Sequence, residues 1–547
     1  MLKINMKNIK KYYGARLVLD IEELKIYEGN KIGVVGVNGA GKTTLLEIIA
    51  GLIDFDSGDL SIDSNTNIKY ISQLGEPENR IINGKYASIF KVKDKWNVNM
   101  SGGEKTRFKL AEGFENQGSL MLVDEPTSNL DMKGIELITN IFKEYGDTFL
   151  VVSHDRSFLD RTCNKILEIE NGKVKLYNGN YSKYIKLKEE EISRKEFEYE
   201  EYIKEKRRLM NIKRNIEIKS SKTTNAPSRM GNSEVRLHKM GGQNAKKNLD
   251  NFAKSIESRI EHLEVKEKPT REDIIRIKIL DSSKPHSKIL VLGKDINKSY
   301  GENIIFKNAH FNIYNGKKIA LIGPNGSGKT TLINMILKGE GIKISESVRI
   351  GYFSQSMNIL NEEKTILENV MEKSIHDENF ARLILARLLI KGDKVHENLK
   401  VLSGGERVRV SFAKIMLEDI NFLILDEPTN YLDINSLEVI EELLKNYNGT
   451  ILLVSHDRRF IENIADELLI IENTKLKSFK LTYGEYLRLK DKPKLNGDEK
   501  RIQERKMVLR TEISELIGKI SLEKDEDYKK ELDKKYQEKL KELRDLS

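Results

Sequence analysis

The sequence predicts an α/β fold: two tandem P-loop domains joined by a long α-helical hairpin, with a C-terminal helical extension. Three observations predict it. Four blocks of residues occur twice in the same order. A charge-dense stretch with no proline or glycine for some thirty residues separates the two sets. Apolar stripes at helical spacing follow the second set.

The first copy comprises GVNGAGKTTL at Gly36–Leu45, SGGEKTR at Ser101–Arg107, MLVDEPTSNLD ending at Asp131 and VVSHDRSF at Val151–Phe158. The second has GPNGSGKTTL at Gly323–Leu332, SGGERVR at Ser403–Arg409, LILDEPTNYLD ending at Asp433 and LVSHDRRF at Leu453–Phe460. The first block lies 287 residues from its copy and the other three lie 302 from theirs, so the second copy has gained residues before SGGE. These positions predict domains over 1–185 and 288–490, a helical linker over 186–287 and a helical extension over 491–547. In the linker one long helix is expected to open the hairpin, SSKTTNAPSRMGN to form its turn, and a second helix to run from about Ala245 to Val265. That second helix would carry a stripe of Leu249, Phe252, Ile256, Ile260 and Leu263. In the tail, Leu509, Ile513, Leu516 and Ile520 form one stripe and Leu532, Tyr536, Leu540 and Leu543 another, which reads as a smaller helical hairpin.

Composition narrows the class. The 547 residues carry a formal charge of +9, with 38% hydrophobic and 33% charged. The single cysteine, Cys163, excludes an internal disulfide framework and fits a reducing compartment. No apolar run approaches the roughly 18 residues of a membrane helix, and the first residues lack a secretory h-region. A cytoplasmic protein that does not itself span a membrane is expected.

The phosphate-binding chemistry is explicit. Gly36, Asn38, Gly39, Gly41, Lys42, Thr43 and Thr44, and likewise Gly323, Asn325, Gly326, Gly328, Lys329, Thr330 and Thr331, form loops of the type G-x-x-x-x-G-K-[ST]. In both copies the loop stands between an apolar strand and a helix. Glycines let backbone N–H groups close around phosphates, the lysine reaches the β/γ-phosphates and the threonine hydroxyl holds Mg2+. Each copy also has a strand ending in Asp-Glu. Asp124 and Asp426 are placed to hold the metal, and Glu125 and Glu427 to polarise the attacking water. His154 and His456, two of only eight histidines, sit in identical SHDR settings and are expected to sense the γ-phosphate.

The set GxxxxGKT, SGGE, DEPT and SHDR resembles the ATP-binding cassette ATPases, and SGGE is its discriminating member. That resemblance implies head-to-tail packing of the two cassettes, with ATP held between the loop of one and the signature of the other. Lys42 would then face Ser403 and Gly405, and Lys329 would face Ser101 and Gly103. The signatures Ser101, Gly102, Gly103, Glu104 and Ser403, Gly404, Gly405, Glu406 would offer donors to the γ-phosphate. Gln73 and Gln355 match the family's metal-and-water-contacting glutamine, Tyr13 and Tyr300 its adenine-stacking aromatic, and Asp131 and Asp433 its D-loop aspartate.

The linker is strongly cationic. Ile203 to Leu249 holds 13 Lys/Arg against 3 Asp/Glu, a balance of +10, which leaves the rest of the molecule near neutral. One-signed charge near a hairpin tip is the footprint of a phosphate-backbone partner. Its cations, Lys204, Lys206, Arg207, Arg208, Lys213, Arg214, Lys219, Lys222, Arg229, Arg236, Lys239, Lys246 and Lys247, are the expected RNA contacts. A solvated charged helix is the plainer alternative, and no RNA-binding domain motif argues for base specificity.

Tandem cassettes, a charged hairpin and no membrane segment together resemble the ABC-F class of ribosome-binding ATPases. The 28 residues from Gln73 to Ser101, against 48 from Gln355 to Ser403, leave no room for the arm that many translation-factor members insert in the first cassette. The extended hairpin and the tail are similar to the antibiotic-resistance, ribosome-protection members of the Vga and VmlR type. The resemblance implies ATP and Mg2+ as cofactors. It implies the ribosome as partner, at 23S rRNA near the peptidyl-transferase centre and at P-site tRNA. It also implies a monomer whose own cassettes pair, and protection against lincosamides, pleuromutilins and group A streptogramins. The D-loops read SNLD and NYLD where NHLD is commoner. A housekeeping translation factor is the runner-up, and an ATPase subunit of a transporter stands third.

Overall fold

A computed structural model describes the chain except residues 74, 117, 224–231, 267–284, 286, 355–358, 430–431, 492–508, 510–512, 514–525 and 546–547. For 232–244, 491, 526–531, 533 and 544–545 it describes the backbone alone. The described residues fall into two compact units, Met1–Lys480 and Leu481–Ser547.

The first copy runs β1 (Leu2–Tyr13), β2 (Arg16–Tyr27), β3 (Lys31–Val35), α1 (Lys42–Ile49), β4 (Ser57–Ile62), β5 (Ile68–Ile71), α2 (Gly84–Phe90), α3 (Gly102–Glu115), β6 (Leu120–Asp124), α4 (Met132–Glu144), β7 (Thr148–Val152), α5 (Arg156–Thr162), β8 (Lys165–Glu170) and β9 (Lys173–Asn178). Strands β6 and β7 are buried at all five positions. This is why they read as unbroken apolar runs, as strands covered on both faces of a parallel sheet must. The main sheet has the order β5-β6-β7-β3-β8-β9, parallel except for β9, and a separate antiparallel sheet has the order β2-β1-β4. The order matters for chemistry. It sets β6, β7 and β3 side by side, so the segments leaving their C-terminal ends share one crevice.

Two helices follow, α6 (Tyr181–Thr223) and α7 (Asn232–Glu261). The first has 43 residues, about 65 Å at 1.5 Å per residue. Leu209 and Ile216 of α6 meet Ala253 and Ile256 of α7, with Ile212, Leu249, Ile260 and Leu263 around them. Two expectations are corrected here. The second helix begins at Asn232, well before Ala245, and runs through Gly241 and Gly242. Glycine costs a helix about 1 kcal/mol, which a helix paired along α6 can absorb. Phe252 is 53% exposed, and its neighbour Ala253 takes the seam instead. Spacings of three and four both fit the stripe, and Ala253 is the position that lies on the face shared by Leu249, Ile256 and Ile260.

The second copy repeats the first: β10 (Ile289–Tyr300), β11 (Asn303–Tyr314), β12 (Lys318–Ile322), α8 (Lys329–Lys338), β13 (Ile342–Ile344), β14 (Ile350–Phe353), α9 (Ile366–Met371), α10 (Glu378–Arg387), α11 (Gly404–Met416), β15 (Phe422–Asp426), α12 (Ile434–Asn446), β16 (Thr450–Val454), α13 (Arg458–Ile464), β17 (Glu467–Glu472) and β18 (Lys475–Phe479). Its sheets, β14-β15-β16-β12-β17-β18 and β11-β10-β13, have the order of the first copy. The residues gained before SGGE form α9, α10 and two 3-10 turns, where the first copy has α2 alone.

The second unit contains α14 (Tyr483–Asp491) and α15 (Glu526–Asp545). Leu532 of the later tail stripe is buried, and Leu509 and Ile513 of the earlier stripe are helical and buried. Leu516 and Ile520 lie outside the described residues.

Candidate active site

Each phosphate loop turns on one glycine. Gly41 and Gly328 have φ of 101° and 102°, a left-handed conformation that favours glycine. A Cβ on Gly41 would stand 2.9 Å from Leu19 and Val18, and one on Gly328 2.3 Å from Ile305. Each glycine opens its helix, so the amides of the first turn of α1 and α8 face the loop. Lys42 Nζ donates to the carbonyls of Gly36 (2.8 Å) and Val37 (3.1 Å), and Lys329 Nζ to those of Gly323 (2.8 Å) and Pro324 (3.2 Å). Burial pushes both ammonium groups below the usual lysine range, against the pull of nearby carboxylates.

The carboxylates close on these loops from β6 and β15. Thr43 Oγ1 donates to Asp124 Oδ2 at 2.7 Å, and Thr330 Oγ1 to Asp426 Oδ2 at 3.5 Å. A hydroxyl and a carboxylate converging in this way supply hard oxygen ligands of the kind Mg2+ takes. The next residues, Glu125 and Glu427, have φ of 52° and 50°, uncommon for a side chain of that size. The kink aims each carboxyl back over the sheet end. Glu125 Oε2 accepts from the backbone N–H of His154 at 3.4 Å. In both copies Glu Oε1 lies 3.4 Å from His Nε2, at His154 and His456 respectively. Neither contact has hydrogen-bond geometry, so Oε1 of Glu125 and of Glu427 is buried without a partner. Burial pushes the Glu125 carboxyl up to about 8 and that of Glu427 to about 7. The same cause, with Lys42 or Lys329 adding to it, pushes His154 and His456 down to about 4, so both rings are neutral near pH 7.

The copies meet through their D-loops. Asp433 caps α12, accepting from Ser436 N at 2.8 Å through Oδ1, while its Oδ2 accepts from Asn38 N of the first phosphate loop at 3.1 Å. Asp131 does the same in reverse, accepting from Gly134 N at 2.8 Å and from Asn325 N of the second loop at 3.4 Å. His456 Nε2 lies 3.2 Å from Asn325 Oδ1. Each loop is therefore completed by a carboxylate from the other copy.

The SGGE blocks open α3 and α11 with reciprocal capping boxes, Ser101 with Glu104 and Ser403 with Glu406. Thr106 of α3 donates to Ser128 O at 3.2 Å, and Arg409 of α11 to Ser436 Oγ at 3.3 Å. The signature helices are thus fastened to the first D-loop at Ser128 and, in the second copy, to the first turn of α12 that Asp433 caps. The crossing is made by Asp131 and Asp433.

Gln73 lines one crevice with Asp124 and Glu125. Its main-chain carbonyl accepts from Lys109 of α3 at 2.8 Å, a tether that motif reading missed. Gln355 lies outside the described residues. Tyr13 and Tyr300 end β1 and β10 with exposed rings, under Lys11 at 5.4 Å and Lys298 at 5.8 Å. The Tyr13 hairpin rests on its phosphate loop, where Arg16 donates to Gly39 O at 3.3 Å.

In the linker, three of the expected RNA contacts are engaged within the hairpin. Lys204 pairs with Glu201, Arg208 with Glu205 and Lys213 with Glu257. Lys206 lies over the Tyr202 ring. Arg207, Arg214, Lys219, Lys222 and Lys247 are exposed, Lys246 is half-buried, and no ion pair joins any of them to another described residue. Arg229 lies outside the described residues, as do the side chains of Arg236 and Lys239.

Family models described as ABC transporter match residues 19–94 and 306–430, and a further one of that description matches 167–248. The chain is 32% identical to the ribosome protection protein VmlR of Bacillus subtilis, across 99% of this chain and 98% of that one. It is 35% identical to the erythromycin resistance ATP-binding protein MsrA of Staphylococcus epidermidis, across 82% and 93%. The archaeal ribosome recycling factor aABCE1, solved with the ribosomal stalk protein aP1, superposes with a TM-score of 0.59 at 19% identity, covering 88% of this chain and 92% of that one. That last likeness is one of fold. No helix among the described residues is long and apolar enough to cross a membrane.

Proposed function

The chain belongs to the ABC-F family of ATPases, and from that premise we propose that it binds the ribosome in an ATP-closed form and protects it from antibiotics of the peptidyl-transferase centre. The observation that carries this reading is the extent of the similarity to VmlR. It runs through the linker and the tail as well as both cassettes. ATP held by Lys42 and Lys329 would draw the copies together through Asp131 and Asp433. Closure would drive the basic hairpin towards 23S rRNA and P-site tRNA, displacing tRNA and drug, and hydrolysis would release the factor.

The residues present fit Mg2+. Thr43 with Asp124, and Thr330 with Asp426, would hold it, joined by Gln73 and Gln355, and it would neutralise charge on the phosphates. Glu125 and Glu427 are the bases that take a proton from the attacking water, and His154 and His456 orient the γ-phosphate.

A strain lacking the gene should lose resistance to a lincosamide, a pleuromutilin and a group A streptogramin. The protein should sediment with ribosomes only when ATP is present. Unchanged inhibitory concentrations for all three classes, with sedimentation retained, would instead support a housekeeping translation factor. MsrA adds erythromycin to the panel as a fourth drug.

The pH dependence of turnover follows from the two glutamates. A base must lose its proton to act, so phosphate release rises with pH through its titration. Burial raises both carboxyls well above the ordinary glutamate range, so the Glu427→Gln variant, which leaves Glu125 working, and the Glu125→Gln variant, which leaves Glu427 working, should both release phosphate faster as pH rises above that range. A rate independent of pH between about 5 and 9 in either variant would contradict this.

A further inference from the structure

The arginine of the first SHDR motif leaves its own copy. Arg156 is 4% exposed, and its Nη2 is ion-paired with Glu441 of α12 and lies 3.5 Å from Asp457 Oδ2, both in the second copy. Asp457 follows His456 and caps α13, accepting from Phe460 N at 3.0 Å. Glu441 is held from its other side by Asn463, which donates at 2.9 Å. Arg156 therefore grips both the loop that carries His456 and the helix behind it.

Hydrogen bonds continue this contact to both candidate centres. In the first copy Thr127, two residues after Glu125, shares a hydrogen bond with Ser153 Oγ at 3.1 Å, and Ser153 Oγ accepts from Asp155 N at 3.1 Å. In the second copy Thr429, Ser455 and Asp457 N repeat the arrangement at the same distances. Arg156 joins the two halves, so an unbroken chain of bonded groups links the Glu125 turn to the Glu427 turn.

The reverse connection differs. Arg458 corresponds to Arg156, yet it donates to Glu136 at 3.0 Å and to Met132 O at 3.4 Å. Glu136 is 53% exposed, and among the described residues no ion pair joins Arg458 to Asp155. The position matching Glu441 is Thr139, whose hydroxyl is spent on its own helix at Ile135 O (2.6 Å). In the reverse direction buried Asp155 feels the charge of Arg458, and Arg459 pairs with half-buried Asp160 of α5 at 3.5 Å, but among the described residues the buried ion pair of this motif is that of Arg156. Ion pairs withdrawn from water hold geometry in a way exposed ones do not.

We propose that Arg156 is a positioning residue that couples the two ATP sites in one direction, holding the His456 loop of the second site through Asp457 while Arg458 exerts no equal hold on the first. The proposal rests on the catalytic reading of the glutamates and histidines given above, and the two can fail separately.

The test measures each site by itself with the full-length protein. Glu125→Gln leaves only the second site active and Glu427→Gln only the first. Adding Arg156→Met should lower kcat about tenfold in the Glu125→Gln background and change it by less than about twofold in the Glu427→Gln background, with KM for ATP unchanged in both. Arg458→Met should leave both sites within about twofold, since the contacts it loses are with a half-exposed glutamate and a main-chain carbonyl. Should Arg156→Met fail to fold because Glu441 is left charged and alone, Arg156→Met with Glu441→Met removes both charges and should show the same selective loss. Equal slowing of both sites, no slowing of either, or an Arg458→Met effect matching that of Arg156→Met would overturn the coupling. A Glu125→Gln, Glu427→Gln double variant that still releases phosphate would refute the site assignment first, whatever Arg156 does.

Discussion

Replacing Glu125 and Glu427 together by glutamine is expected to lower phosphate release by at least about 10²-fold while ATP still binds and the protein stays on ribosomes. Glutamine matches glutamate in shape, so the backbone kink at each position is preserved and only the proton acceptor is lost. Each Oε1 stands buried and unpartnered beside a histidine that is neutral near pH 7. Lys42, Lys329, Asp131 and Asp433 keep their contacts, so closure on ATP is retained and release is what fails. Stability should move the other way. A carboxyl whose folded-state pKa is raised to about 8 holds its proton more tightly than the unfolded chain does, so it costs stability progressively as pH rises from the ordinary value of 4.5 to about 8. The neutral amide escapes that cost. The variant's thermal midpoint should therefore match the wild type near pH 5 and exceed it at pH 8. Phosphate release at the wild-type rate would refute the assignment of both bases.

The parts of the site that were legible in the sequence are those whose chemistry is contiguous. A phosphate loop is a single turn between strand and helix, and a buried strand ending in Asp-Glu carries its function at its own end, so neither needs tertiary information to be read. What joins the copies was not legible in the same way. Asn38 and Asp433 lie 395 residues apart, and Arg156 and Glu441 lie 285 apart. Within SHDR the histidine carries the expected phosphate chemistry, whereas the buried contact between the copies is made by Arg156 of the first motif with Glu441 and with Asp457 of the second. A signal was present in the comparison of the copies, because Thr139 stands where the second copy has the charged Glu441. In the hairpin the helical period is right and one position of the stripe is not, because spacings of three and four both satisfy the period and Ala253, not Phe252, lies on the seam. Formal charge also overstated what the hairpin offers a partner, since a residue count cannot show that Lys204, Arg208 and Lys213 already have carboxylates.

That distinction supplies the second large effect. Changing Arg207, Arg214, Lys219, Lys222 and Lys247 to glutamine should reduce ribosome affinity steeply while leaving ribosome-free ATP turnover unaltered. Each cation neutralising a phosphate releases condensed counterions, so affinity falls by about 0.9 logarithmic units per contact for each tenfold rise in salt on a duplex. Five contacts then account for a loss of about 10²–10³-fold between 50 and 200 mM salt, and the variant should lack that much of the wild-type salt dependence. Glutamine keeps helix propensity, and the seam of Leu209, Ile216, Ala253 and Ile256 is untouched, so the hairpin stays formed. The matched control changes Lys204, Arg208 and Lys213, whose binding to RNA would first exchange an existing ion pair, and its salt slope should move less per residue. Equal loss per residue in the two sets would mean that total charge governs binding whatever the local pairing. No loss in either would show that the hairpin does not meet a phosphate backbone, and the plainer reading of a solvated helix would stand.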